Sequence, residues 1–315
     1  MSDTTLLICT AAFNDEERTR LLDACPAHYV ASPDEIADLP EELRAGIKAL
    51  AFKGHTPLTA AAMDPLPGLG LIANFGVGYD SIDVDAATER GIKVTNTPNV
   101  LNDDVADMAV ALMLTHAHDV IGGHAWVKAG KWASEGNYPL QRKMTGGTVG
   151  IVGLGRIGRE IADRLAAFKM EIHYHSRSEK ETPGWTYHAD PVSLAGAVDW
   201  LVVALVGGAE TENYVSAQVL EALGPQGVVI NIARGSIIDE GALLDALEQD
   251  KIAGAGLDVF REEPGLDPRF QALDNVVLQP HVGSATFETR RDMALLQLEN
   301  ILAYLEGRDL VTLVN

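Results

Sequence analysis

Apolar residues fall along this chain in short runs separated by stretches of mixed polarity. The runs are rich in Val, Ile and Leu, while the stretches between them are charged or Ala-rich and look helical. Runs without polar alternation need cover on both faces, and helices that cross between parallel strands provide it. The pattern therefore predicts an α/β fold. Four runs precede residue 100, at 5–10 (TLLICT), 47–52 (IKALAF), 69–75 (LGLIANF) and 92–97 (IKVTNT). Six follow, at 148–153 (TVGIVG), 171–176 (EIHYHS), 200–205 (WLVVAL), 227–233 (GVVINIA), 253–260 (AGAGLDVF) and 275–282 (NVVLQPHV). The first set predicts an α/β layer of its own, and the second predicts a doubly wound parallel sheet.

Pro98 interrupts the pattern, and DDVADMAVALMLTHAHDVI from residue 103 places apolar side chains at helical spacing, which predicts one long helix carrying the chain away. Only 34 residues follow His281, and FETRRDMALLQLENILAYLEG reads as a single amphipathic helix ending at Gly307. That is too short for a domain, so it is expected to return to the first block. The expected division is one domain of residues 1–98 plus 285–315 and a second of residues 99–284, with two crossings acting as a hinge around a cleft.

Composition narrows the function. With 24 basic and 45 acidic side chains the formal charge is −21, which repels nucleic acid and anionic membrane, so a small-molecule partner is expected. Cys9 and Cys25 make neither a disulfide framework nor a metal cluster, and no metal is expected. The chain has neither a secretory signal nor an apolar stretch of membrane-spanning length, which predicts a cytoplasmic location.

Candidate chemistry begins at GIVGLGRIGREIADRL, where Gly153, Gly155 and Gly158 keep the G-x-G-x-x-G spacing between a predicted strand and a predicted helix. The first glycine permits a tight turn, the second lets backbone approach a pyrophosphate and the third lets helix and strand pack closely. Leu154, Arg156 and Ile157 lie within the same turn. Ligands of such sheets sit at the carboxyl ends of the strands, which selects 176–178, 205–208, 233–235, 258–263 and 281–284. In an NAD site a carboxylate after the second strand accepts from the ribose hydroxyls. YHSRSEK offers Ser176, Arg177 and Ser178 instead, and Arg177 suits a 2′-phosphate, with the Ser176 and Ser178 hydroxyls expected as additional donors. The expected cofactor is NADP(H), with NAD(H) possible.

Carbonyl reduction needs an acid to protonate the forming alkoxide and a cation to hold an anionic substrate. His281 in QPHVGS suits the first role and Arg234 in NIARG the second. Either Glu262 or Glu263 could support His281, and spacing does not separate them. Asp258 could accept from a nicotinamide amide or cap a turn. His116, His118 and His124 read as a solvated or packed helix face.

GIVGLGRIG, NIARGSIIDE, GAGLDVFREEP and QPHVGS, in this order, resemble the D-isomer-specific 2-hydroxyacid dehydrogenases, above all the hydroxypyruvate, hydroxyphenylpyruvate and glyoxylate reductases. FGVGYDSID and TPNVLNDDVAD extend the match over nearly the whole chain. The resemblance implies a Rossmann-type cofactor domain inserted in a flavodoxin-like substrate domain, a homodimer, and a catalytic carboxylate directly before the proline of D-V-F-x-x-E-P, which is Glu263. It assigns substrate binding to Arg234 and the amides of Val77 and Gly78, and acid–base work to His281 paired with Glu263. The implied cofactor contacts extend to Leu205, Thr211, Ile232, Ala233, Asp258 and Gly283. Residues 53–58 and a partner's Trp132 are expected in the pocket wall. Many members have a proline where this chain has Val206. The implied reaction is reduction of a 2-oxo acid to the D-2-hydroxy acid. Alternatives are a nucleotide-sensing, corepressor-like relative without turnover, or formate oxidation, for which glutamine would be expected in place of Glu263.

Overall fold

Twelve strands form in the computed structural model, which describes residues 5–9 and 12–315. The chain divides into two units, Met1–Leu101 with Thr286–Asn315 and Asn102–Ala285. The first holds β1 (Leu6–Cys9), β2 (Ala27–Val30), β3 (Ala49–Phe52), β4 (Leu71–Asn74) and β5 (Lys93–Thr95) in the order β2-β1-β3-β4-β5. All pairs are parallel, and the order is that of flavodoxin-like sheets. β1, β3 and β4 are buried along their whole length, which is why they read as unbroken apolar runs. β2, sequence AHYV, went unpredicted because it is an edge strand, mostly half-buried, with two polar-tipped residues in four. Thr10, the expected end of the first run, lies outside the described residues.

The predicted closing helix spans Phe287–Leu305. Gln297 fixes it to this sheet, donating from Nε2 to the carbonyls of Phe52 at 3.3 Å and Ala73 at 2.8 Å. The helix stops where Gly307 takes φ +71° and the Arg308 amide donates back to Ala303 O at 2.8 Å.

The second unit holds β6 (Thr148–Val152), β7 (Glu171–His175), β8 (Thr186–His188), β9 (Trp200–Val203), β10 (Val228–Asn231), β11 (Gly254–Leu257) and β12 (Val276–Leu278). They make one parallel sheet in the order β12-β11-β10-β9-β6-β7-β8. Seven strands replace the six expected, because β8 is a three-residue edge strand with no apolar run. Leu201, Val203, Val229 and Leu244 are fully buried, and burying each such side chain contributes about 1.5–3 kcal/mol. The order reverses between β6 and β9, which is where such sheets bind ligands.

The helical run from Asn102 is two helices, Asn102–His118 and Val120–Lys128. Asp119 divides them in a left-handed conformation, φ +41°, and its carboxylate accepts from Gly122 N at 3.1 Å. Aspartate tolerates that geometry better than most residues. Among the described residues no helix is long and apolar enough to cross a membrane.

Candidate active site

The three glycines after β6 perform three different tasks. Gly153 has φ +104°, and a Cβ there would lie 2.8 Å from the carbonyl oxygen of Ala204, which directly follows β9 at the switch point. At Gly158 a Cβ would come within 2.1 Å of Gly153 O, so helix Arg156–Ala167 packs on the turn only with glycine. Gly155 differs: a Cβ there would meet nothing within 4 Å. It begins the helix with no side-chain cap, so the helix amides face open space. This is a cradle for an anion against bare backbone. Leu154 is buried, Ile157 half-buried and Arg156 exposed beside it.

After β7 the chain turns tightly. Ser176 is buried and its Oγ donates to Ser178 O at 2.6 Å, so its hydroxyl hydrogen is committed inside the turn rather than offered outward as expected. Tyr174 locks the far end, its phenol accepting from Lys180 N at 2.9 Å and donating to Lys180 O at 3.0 Å. Arg177 and Ser178 are left exposed, with Lys180 Nζ 3.4 Å from Ser178 Oγ. In the loop after β9, Leu205 is half-buried, Val206 is exposed, and Thr211 Oγ1 donates to Val206 O at 2.7 Å, closing the loop on itself.

The groups suited to chemistry follow β10, β11 and β12. Asn231 ends β10 fully buried, accepting from Ala233 N at 3.1 Å and donating to Arg234 O at 2.9 Å. This staple turns the backbone at the buried pair Ile232 and Ala233 and presents Arg234, whose Nη1 donates to Ala233 O at 2.7 Å. Gly235 is required next, since a Cβ would lie 1.9 Å from the Phe260 carbonyl carbon. After β11, the Asp258 carboxylate accepts from Val282 N and Gly283 N, each at 2.8 Å. Of its two candidate roles, the structure shows the turn cap. Burial raises its pKa, against the opposing pull of those two amides. The cap also forces Gly283, where a Cβ would sit 2.8 Å from Asp258 Oδ2.

That cap sets His281. Its amide donates to Asp258 O at 2.8 Å and its backbone takes φ +53°, a left-handed conformation unusual for histidine. Such strain concentrates at functional positions. His281 Nδ1 lies 2.7 Å from Glu263 Oε2, while Glu263 Oε1 accepts from Phe260 N at 2.8 Å. An ionised carboxylate only accepts, so Nδ1 carries the hydrogen in this contact. Glu262 is exposed and Glu263 half-buried, so geometry separates the two glutamates that spacing could not.

In the first unit, Asn74 repeats the device of Asn231. Buried at the end of β4, its Nδ2 donates to Gly76 O at 3.2 Å and Gly78 O at 2.9 Å. Asn96 Nδ2 holds Val77 O at 2.9 Å, and Thr97 Oγ1 accepts from Gly76 N at 3.0 Å. The carbonyls of the turn are thus occupied, while the amides of Val77 and Gly78 have no acceptor among the described residues. Two adjacent free amides suit a carboxylate.

Residues 110–283 match the family model described as D-isomer specific 2-hydroxyacid dehydrogenase, NAD binding domain. The chain belongs to this family. It is 44% identical over 266 residues to 2-ketogluconate reductase of Gluconobacter oxydans, covering 84% of this chain and 86% of that protein. It is 42% identical over 297 residues to glyoxylate/hydroxypyruvate reductase A of Arabidopsis thaliana, covering 94% and 93%. Among solved structures, the NADPH-dependent glyoxylate/hydroxypyruvate reductase of Sinorhizobium meliloti, in complex with NADP and malonate, superposes with TM-score 0.94 at 41% identity over 99% of this chain and 97% of that one.

The family member described here is thus an oxidoreductase, and the corepressor-like alternative finds no support among these relatives, which are named as reductases. The residues expected from QPHVGS and DVFREEP come together as a pair, and Arg234 is presented on the neighbouring strand end. His116 is no part of this group: it stacks edge-on against Trp200, with ring centroids 5.8 Å apart. His118 and His124 are exposed. The positioning asparagines Asn74 and Asn231 went unrecognised. Their signal was present, as each is the polar last residue of an otherwise apolar strand, LIAN and VVIN.

Proposed function

We propose that this enzyme reduces a small 2-oxo acid, such as glyoxylate or hydroxypyruvate, to the D-2-hydroxy acid with NADPH. The observation that carries this reading is the 2.7 Å contact of His281 with Glu263, on the same sheet edge as Arg234 and the open glycine turn. When bound, the reduced nicotinamide supplies the hydride that converts the carbonyl carbon to an alcohol. The chain's part is electrostatic and protonic. Arg234, with its fork of donors, holds the substrate carboxylate and keto oxygen. His281 Nε2 gives its proton to the oxygen as negative charge develops there, and Glu263 holds the ring through Nδ1.

Preference for NADPH rests on Arg177, exposed where an NAD enzyme would carry a carboxylate, and the Sinorhizobium meliloti relative is named as NADPH-dependent. Cytoplasmic location and homodimer formation through the cofactor unit complete the proposal. Val120, Ile121, Val127, Trp132 and Leu140 leave large apolar side chains exposed over residues 120–140, as a subunit contact would require.

The test is kcat/KM for glyoxylate and hydroxypyruvate with each cofactor, in the wild type and in Arg177→Ala. A charge-assisted contact is worth about 1.5–3 kcal/mol, so the substitution should cost NADPH about tenfold to a hundredfold and leave NADH nearly unchanged. Equal use of both cofactors by the wild type, or equal losses in the variant, would remove Arg177 from phosphate recognition.

A further inference from the structure

Lys53 directly follows β3, and the order β2-β1-β3-β4-β5 reverses between β1 and β3. It therefore sits at the switch point of the first unit's own sheet, the place where open α/β sheets take ligands. Its environment is unusual for a lysine. The side chain is 16% exposed, and Nζ lies 4.4 Å from the centroid of the Phe75 ring and 5.5 Å from that of Phe13. Phe75 itself immediately precedes the turn that presents the Val77 and Gly78 amides. The two loops are tied together, with Leu58 N donating to Ser81 O at 2.7 Å and Ser81 Oγ donating to Gly54 O at 3.2 Å.

One carboxylate accompanies this cation. Lys53 Nζ donates to Glu17 Oε2 at 2.7 Å, and Glu17 is 5% exposed. An ammonium has three donors, and the other two find no acceptor among the described residues. Burial lowers the lysine's pKa, Glu17 opposes that, and Arg290, whose guanidinium lies 5.8 Å from the same Phe75 ring, adds to it. A largely buried ammonium with two unused donors is costly unless a bound molecule supplies acceptors.

Resting on the reductase reading above, we propose that Lys53 is a specificity residue that donates to a hydroxyl on the carbon next to the keto group, so that the preferred substrates are 3-hydroxy-2-oxo acids. With the substrate carboxylate on the Val77 and Gly78 amides, the group beyond the keto carbon meets the neighbouring loop that begins at Lys53. An alkyl group there keeps water from the ammonium's two remaining donors and offers them no acceptor, which disfavours it.

Hydroxypyruvate and pyruvate differ only by this hydroxyl, and glyoxylate lacks the carbon that bears it. In the wild type kcat/KM for hydroxypyruvate should exceed that for pyruvate by about tenfold to a hundredfold, the range for a hydrogen bond from a charged donor. Lys53→Met should bring that ratio to within about threefold of unity, with a loss on hydroxypyruvate at least about threefold greater than any loss on glyoxylate. Removing one partner of a buried pair can prevent folding. Glu17→Gln combined with Lys53→Met removes the stranded charge, keeps a residue able to complete the helix cap with Asn14, and carries the same expectation. A ratio near unity in the wild type, or one untouched by either variant, would overturn the assignment while leaving the reductase reading intact. Equal loss with all three substrates would make Lys53 structural and overturn it too. A wild type that reduces neither glyoxylate nor hydroxypyruvate would overturn the reductase reading and this assignment with it.

Discussion

Replacing Glu263 by glutamine keeps shape and removes one charge, and its consequence can be worked through atom by atom. Glu263 Oε1 accepts from Phe260 N at 2.8 Å and Oε2 accepts from His281 Nδ1–H at 2.7 Å. An amide offers one acceptor and one donor. If its oxygen faces Phe260 N–H, its NH₂ faces Nδ1, which must then accept. The imidazole is driven into the Nε2–H tautomer, and releasing that hydrogen to an alkoxide would leave an imidazolate. The opposite orientation sets amide hydrogens against Phe260 N–H and leaves a donor unsatisfied, at about 1–3 kcal/mol. The first orientation therefore dominates, and neither restores a ring held by a carboxylate at Nδ1. General acid–base catalysis is worth about 10²- to 10⁴-fold, so kcat for reduction should fall by that amount, with melting temperature and cofactor affinity nearly unchanged. Steady-state rates in both directions, with thermal unfolding as control, measure this. A Glu263→Gln enzyme within about threefold of wild-type kcat would refute the assignment of the proton path.

The glycine turn separates folding from binding. Gly158→Val should destabilise the protein by about 1–3 kcal/mol or more by overpacking, because its Cβ would press on Gly153 O at 2.1 Å. Gly155→Thr, an acceptable helix cap with nothing within 4 Å of its Cβ, should keep stability yet weaken cofactor binding by about tenfold or more, and a titration showing unchanged affinity would remove the pyrophosphate from this turn. Burial lowers the pKa of His116 below its usual 6.5. A folded value below the unfolded one means that this stability is present above pH 6.5 and is lost as pH falls from there toward the folded pKa. Urea unfolding between pH 7.5 and 5.5 should show a stability loss of up to about 1.4 kcal/mol per pH unit from this group, reduced in His116→Gln. Equal slopes in the two proteins would assign the loss elsewhere.

Both sheets were legible because strands buried on two faces admit almost nothing but Val, Ile, Leu and Ala, and the glycine turn because three separate steric demands fall at fixed spacing. The edge strands β2 and β8 escaped notice, since an edge strand is half-exposed and AHYV or TYH carries no apolar run. The helical run from Asn102 hid its break at Asp119, as a left-handed aspartate leaves no periodic trace. Spacing could not choose between Glu262 and Glu263, because which carboxylate reaches His281 depends on how the 258–264 turn closes on Phe260. The inward hydroxyl of Ser176 was misjudged for a related reason: strand position says which residues reach the edge, whereas side-chain direction is set by local bonds such as that to Ser178 O.

The central claim is that His281 delivers the proton in reduction of a 2-oxo acid to the D-2-hydroxy acid. The most direct measurement is the configuration and rate of product formation from hydroxypyruvate and NADPH, in the wild type and in His281→Ala. Single-configuration D-glycerate from the wild type, with turnover reduced about 10²- to 10⁴-fold in the variant and folding preserved, is the predicted result. L-glycerate, a racemic product, or a His281→Ala enzyme that turns over like the wild type would contradict it.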